Sequence, residues 1–323
     1  MVSPSYKWSA PGSLMFCGEH AVLHGFPALV GAIDKRIMVT LTPDPTHQDF
    51  IIDSALGQLC HALDQPLEPK RPFHFLLKLI ETYRTQLPCG FKLTITAEFS
   101  ATVGFGSSSA VVVATLACLH DWLRQPTTPD ILFPLARACI RAQQNGQGSG
   151  ADIAASLLGG LVYFEAEPAI FRTLEIKLPQ IMALYSGYKT PTTTVIAQLN
   201  EHLQQHPEKR QYFQQMGDCV TAITTALQCD DLAACTLHLQ RYQQWMCDLA
   251  LNNAVMDQIA TLYAQHPDVL AYKISGAGLG DCVIGLCQPG TIPKIALSPA
   301  HHAQNIVQIP VAFQKTGLIK CSA

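Results

Sequence analysis

Apolar and polar positions change period several times along the chain. Between 7 and 41 the apolar runs are short and rich in β-branched residues. They predict strands at 7–10, 14–17, 28–33 and 36–41, the last with clear alternation. Helical spacing follows over 72–86, then alternation again over 91–99. A Gly/Ser turn at 104–109 leads at once into the apolar run 110–119, the pattern of a buried helix with serines as its caps. Positions 129–144 read as a helix, 146–150 as a second glycine-rich loop and 151–158 as a short helix, with a hairpin at 161–165 and 171–176. The second half is more helical, with candidates at 192–205, 212–228, 231–251 and 253–266. A strand, a glycine turn and a strand follow at 271–274, 275–280 and 282–287, and 305–313 predicts a closing strand. Strand runs mixed with helix runs predict an α+β protein of two domains, divided near 165–185.

The chain's 323 residues suit two domains, and 48% hydrophobic content supplies ample core. The formal charge is −3 and no Lys/Arg run occurs, which argues against nucleic acid or an anionic membrane as partner. An anionic substrate must therefore be held by local groups. Twelve cysteines are scattered without a CxxC pair or a zinc spacing, and read as reduced small hydrophobes. The N-terminal stretch lacks the apolar core of a secretion signal, and no run of about 18 apolar residues exists. The expected location is the cytoplasm.

Three glycine loops carry candidate chemistry. Gly104-Phe105-Gly106-Ser107-Ser108-Ser109 precedes an apolar helix, so backbone N–H groups and a helix N-terminus can meet a phosphate chain. It is neither a Walker loop nor a dinucleotide fingerprint, and a plain capped turn fits it equally well. Ser275-Gly276-Ala277-Gly278-Leu279-Gly280 lies between two strands and also reads as a turn that needs positive φ. The loop from Gln144 to Asp152 places one carboxylate just past a glycine turn. That acid can orient or deprotonate a hydroxyl, or simply sit well at a helix N-terminus.

In order, the chain has Ser9-Ala10-Pro11-Gly12, Phe16-Cys17-Gly18-Glu19-His20-Ala21-Val22-Leu23-His24-Gly25, the Gly104–Ala110 loop, Gly148-Ser149-Gly150-Ala151-Asp152, and Lys273-Ile274 running through Gly280-Asp281. This series resembles the GHMP kinases over nearly the whole chain. Stretch 18–33 looks most like their mevalonate kinase branch. The resemblance implies an N-terminal domain of ribosomal-protein-S5 type at 1–175 and a ferredoxin-like C-terminal domain at 176–323, with the active site between them. It implies ATP-dependent phosphorylation of a small-molecule alcohol, mevalonate to 5-phosphomevalonate, with Mg²⁺ and with a homodimer as an allowed assembly. Carried over by motif, Gly104, Phe105, Gly106, Ser107, Ser108 and Ser109 surround the ATP phosphates, with Ser108 near Mg²⁺. Gly276, Ala277 and Gly278 support the phosphate loop, Asp152 matches the catalytic aspartate, and Glu19 and His20 lie beside the substrate.

Three departures from that pattern stand out. Ser13 stands where mevalonate kinases carry a lysine, and Arg141 where the family has a metal-binding glutamate. The Gln-rich approach to 148–160 and Lys189 in Gly187-Tyr188-Lys189-Thr190-Pro191-Thr192 look more like phosphomevalonate kinase. Lys189 is the candidate replacement for the charge missing at Ser13, and Lys189, Arg141 and Lys35 are the basic groups available to an anionic acceptor. Two alternatives follow: phosphomevalonate or another small molecule as acceptor, and a GHMP-fold binding protein without turnover.

Overall fold

A computed structural model describes residues 4–322. Two sheets organise the chain. The first contains β1 (Tyr6–Cys17), β2 (Ala28–Asp44), β3 (Asp49–Ser54), β4 (Gly57–Ala62) and β5 (Gly90–Ala97). Its order is β1-β2-β5-β3-β4, antiparallel except for the parallel β3–β5 pair. The four strands expected before residue 41 are two long ones. Breaks at Pro11-Gly12 and at Asp34-Lys35 suggest strand ends, but the backbone passes through both with shifts of register, as bulges allow. Strand β2 then serves two neighbours: its second half pairs with β5, and Ala28–Gly31 pairs with β6 (Leu161–Ala166), which continues into β7 (Ala169–Thr173).

Helices α1 (His74–Tyr83), α2 (Ser107–Trp122), α3 (Pro129–Gln143) and α4 (Ala151–Leu158) cover this sheet. Eight consecutive residues of α2, Val112 to Leu119, are fully buried, which explains its unbroken apolar run: it lies between β1 and β2 on one side and the other helices on the other. The serines expected to cap it lie in its first turn instead. Its N-cap is Gly106, and no side chain caps the helix.

The second sheet contains β8 (Ile181–Tyr185), β9 (Val269–Ser275), β10 (Cys282–Cys287) and β11 (Val307–Ile309), all antiparallel in the order β11-β8-β10-β9. Between β8 and β9 run α5 (Thr192–Gln205), α6 (Gln211–Gln228), α7 (Leu232–Asp248) and α8 (Ala254–Ala264). Asp231 accepts from Ala234 N–H and Asn253 from Val255 and Met256 N–H, so polar caps set the starts of α7 and α8. After α9 (Pro299–Ala303) and β11, the chain returns to the first sheet as β12 (Ile319–Lys320), paired with β1. Arg36 fixes that return by donating to the carbonyls of Thr316 and Gly317 at 3.1 and 2.7 Å. No helix among the described residues is long and apolar enough to cross a membrane. The twelve cysteines are free thiols, eight of them buried.

Candidate active site

The bulge in β1 brings three sequence motifs together. Its register shift falls between Pro11 and Ser13, and Ser13 N–H donates to Phe105 O at 3.1 Å. A side chain at Gly12 would come within 2.7 Å of that same carbonyl, so only glycine lets β1 and the 104–109 loop meet. Ser13 is 1% exposed, and its Oγ donates to Asp152 Oδ1 at 2.9 Å. The same Oγ stands 2.1 Å from the place a Gly106 Cβ would occupy. One serine thus lies between the glycine loop and the carboxylate.

Gly104 and Gly106 have φ of 74° and 61°, the left-handed region that glycine enters freely. The loop then delivers Ser107, Ser108 and Ser109 into the first turn of α2, where their N–H groups and the helix dipole favour an anion. Phe105 is buried as an anchor, Ser109 is buried, and Ser108 is half-buried at the turn. Gly106→Ala meets two obstacles, a positive φ and the Ser13 hydroxyl. The variant is expected to weaken nucleotide binding by about tenfold or more, equivalent to ~1.4 kcal/mol. Calorimetric titration of the folded variant measures this, and unchanged affinity would count against the loop as a phosphate site.

Asp152 lies in the first turn of α4, after Gly150 with φ 99°. Ser156 on the next turn donates to Pro11 O at 2.9 Å, so α4 is pinned to the same bulge from a second point. Burial raises the Asp152 pKa, while the Ser13 hydrogen bond and the charge of Lys189 oppose the rise. Arg141 takes another part. Its Nε donates to Gly148 O at 3.0 Å, and its guanidinium joins Arg137 on Glu167. It braces the 146–150 loop as a paired cation.

Glu19 and His20 attach the end of β1 to the 275–280 loop, the third glycine loop in chain order. Both are buried. Glu19 Oε1 accepts from Lys273 Nζ and, at 3.3 Å, from Gly276 N–H. Tyr242 OH donates to Glu19 O at 3.1 Å and accepts from Gly18 N–H at 3.0 Å. Burial pushes the Glu19 pKa up, against the pull of Lys273. His20 Nε2 bonds Ala277 O at 2.7 Å, as a donor because a carbonyl only accepts. The loop beyond needs its glycines differently: Gly276 has φ 95° in open space, whereas a Cβ at Gly278 would reach within 2.6 Å of Leu251 O.

Burial lowers the His20 pKa from 6.5 to about 4. The unfolded chain therefore takes up this proton first as pH falls. The neutral ring's contribution to stability is full above pH 6.5 and is lost progressively towards pH 4. The corresponding acid loss is on the order of 3 kcal/mol. His20→Gln, which keeps an N–H donor, is expected to show a shallower fall in stability over pH 6.5–4 than the parent. Parallel pH slopes in denaturant titrations would refute it.

Lys189 is exposed in the loop between β8 and α5, and its charge acts on Asp152 and on Asp281 alike. Lys35 instead pairs with neighbouring Asp34 at 3.5 Å. The structure therefore brings the first loop, Ser13 and Asp152 together by direct contact, and joins Glu19 and His20 to the third loop. Three participants escaped sequence reasoning. Ser13 read as a missing lysine, yet it bonds the carboxylate. Lys273 and Asp281 read as flanks of a glycine turn. A lysine inside the apolar strand Ala271–Ile274 was the available sign of a buried anion.

The chain is similar to known proteins over most of its length. The description "GHMP kinases N terminal domain" matches residues 73–160, and "GHMP kinases C terminal" matches 239–303. A mevalonate kinase of Archaeoglobus fulgidus is 26% identical, with 88% of this chain and 93% of the relative aligned. A phosphomevalonate kinase of Streptomyces sp. strain CL190 is 27% identical over 86% and 88%. The crystal structure of L. major mevalonate kinase in complex with R-mevalonate superposes with a TM-score of 0.73 at 19% identity, covering 98% of each chain, and shares the fold. Both domains of the GHMP kinases, N-terminal and C-terminal, are thus matched in order on one chain, within a two-sheet α+β fold shared with a mevalonate kinase structure.

Proposed function

We propose that this chain transfers the γ-phosphate of ATP to the 5-hydroxyl of mevalonate. The observation that carries the reading is the Ser13 bridge, which sets the Asp152 carboxylate beside the Gly104–Ser109 loop. The loop's N–H groups and the α2 N-terminus hold the phosphates, with Gly276, Ala277 and Gly278 supporting the cleft. Asp152 accepts a hydrogen bond from the attacking hydroxyl and orients it. In a loose phosphoryl-transfer transition state such orientation and charge stabilisation dominate, and the proton leaves late. Glu19 and His20 hold the acceptor side of the cleft to the third loop. The Ser108 hydroxyl and the Asp152 carboxylate would hold a Mg²⁺ that arrives with the nucleotide, since Mg²⁺ commonly binds one or two carboxylates plus substrate phosphates. When bound it neutralises phosphate charge.

Likeness to mevalonate kinases over most of the chain supports the acceptor. Phosphomevalonate is the second reading, favoured by the exposed Lys189, whose charge acts on Asp152 and Asp281, and by the Streptomyces relative. A coupled ADP-release assay across mevalonate, phosphomevalonate, homoserine and galactose tests both. The highest kcat/KM is expected with mevalonate. A higher value with phosphomevalonate supports the second reading, and no ADP release with any acceptor supports a binding protein.

A further inference from the structure

Asp281 takes no part in the steps above, yet it occupies an unusual position. Its backbone is bound on both sides to the segment that carries Lys189. Asp281 N–H donates to Tyr188 O at 3.0 Å, and Asp281 O accepts from Ser186 N–H at 2.9 Å. Thr190 Oγ1 donates to Leu279 O at 2.6 Å. Lys189 is therefore flanked on each side by a residue tied to 279–281. The next residue, Cys282, is buried, and its Sγ contacts Val103 O at 3.1 Å, which turns this corner towards the phosphate loop. The Asp281 side chain packs directly on that loop. A Cβ at Gly104 would meet Asp281 Cβ at 2.8 Å, Cγ at 2.9 Å and Oδ1 at 3.1 Å.

That Oδ1 is shielded from solvent and has no hydrogen-bond partner among the described residues. Leaving a carboxylate oxygen in that condition is costly, and the cost rises when a polyanion enters the neighbouring loop. Burial raises the Asp281 pKa to about 6, and a cation that reaches this oxygen in the loaded state offsets that cost. Lys189, hinged between the two tied residues and free at its tip, is the side chain whose charge already favours ionisation of both Asp281 and Asp152. We infer that Asp281 is a positioning residue for Lys189: with nucleotide in the cleft, its carboxylate receives the Lys189 ammonium and holds it against the phosphates. This rests on the kinase reading above. It supplies a positive charge at Gly104, while Ser13 meets the same loop at Gly106.

Asp281 has φ 62°, a conformation that Asn adopts as readily as Asp, so Asp281→Asn removes the charge without straining the turn. The test is reductive methylation of lysines read by mass spectrometry, with and without the β,γ-imido analogue of ATP and Mg²⁺. The analogue is expected to slow modification of Lys189 several-fold in the parent and to leave it unchanged in Asp281→Asn. Equal protection in both, or none in the parent, overturns the inference. Kinetics give an independent arm. The kcat losses of Asp281→Asn and Lys189→Met should not multiply, with a coupling of about tenfold, equivalent to ~1.4 kcal/mol. Losses that multiply overturn it, and so does an Mg²⁺ requirement raised by Asp281→Asn alone, which assigns Asp281 to the metal. The methylation arm needs no turnover. It can fail while the kinase assay succeeds, and the reverse.

Discussion

Asp152→Asn is expected to lower kcat by on the order of 10²-fold or more, the range for removing a general base or its equivalent. ATP affinity should change by no more than a few-fold, because the glycine loop supplies the phosphate contacts. The substitution keeps shape, and Ser13 Oγ can still donate to the remaining side-chain oxygen. What it removes is the negative charge and the proton acceptor. Stability should move the other way. Burial raises the Asp152 pKa above that of the unfolded chain, so ionisation at neutral pH weakens the fold. A neutral amide relieves that cost. Catalysis lost with stability held or gained is the signature of a functional acid. A folded Asp152→Asn enzyme with near-parental kcat would remove the residue from catalysis.

Lys273→Met should destabilise the protein by about 3–5 kcal/mol, the usual consequence of removing one partner of a buried ion pair. Lys273 and Glu19 are 1% and 2% exposed, and the ammonium also donates to Ile274 O and lies 5.4 Å from the Tyr242 ring centroid. Without it Glu19 must stay charged in an apolar enclosure or take up a proton. Either outcome loosens the join between β1 and the third glycine loop. The double variant Glu19→Gln/Lys273→Met should recover a large part of the loss, since no charge is then left unpaired. Denaturant titration of the single and double variants decides. A loss below about 1 kcal/mol for Lys273→Met contradicts the buried pair as described.

Much of the framework was legible because local signals agreed with tertiary demands. Helices α4 and α5 begin and end where their patterns place them, bounded by Gly150 and Gly159 in one case and Pro191 in the other. Strand β8 was hidden because all five of its residues are buried, and a short apolar run without period names no element. The half-exposed hairpin β3–β4 has too weak an alternation to announce itself. At the site, the glycines were legible because positive φ and close approach leave a trace in residue type. Pairings across long separations leave none. Ser13 with Asp152 spans 139 residues and Glu19 with Lys273 spans 254, and only the fold brings either pair together.

The most direct test of the central claim is ³¹P NMR of a reaction containing the purified protein, ATP, Mg²⁺ and mevalonate. The account predicts loss of the γ-phosphate signal in step with a new phosphomonoester resonance, coupled to the protons of mevalonate carbon 5, in equal amount to ADP. Conversion of ATP to ADP with inorganic phosphate alone, or no conversion while 5-phosphomevalonate is turned over to a diphosphate, would contradict it.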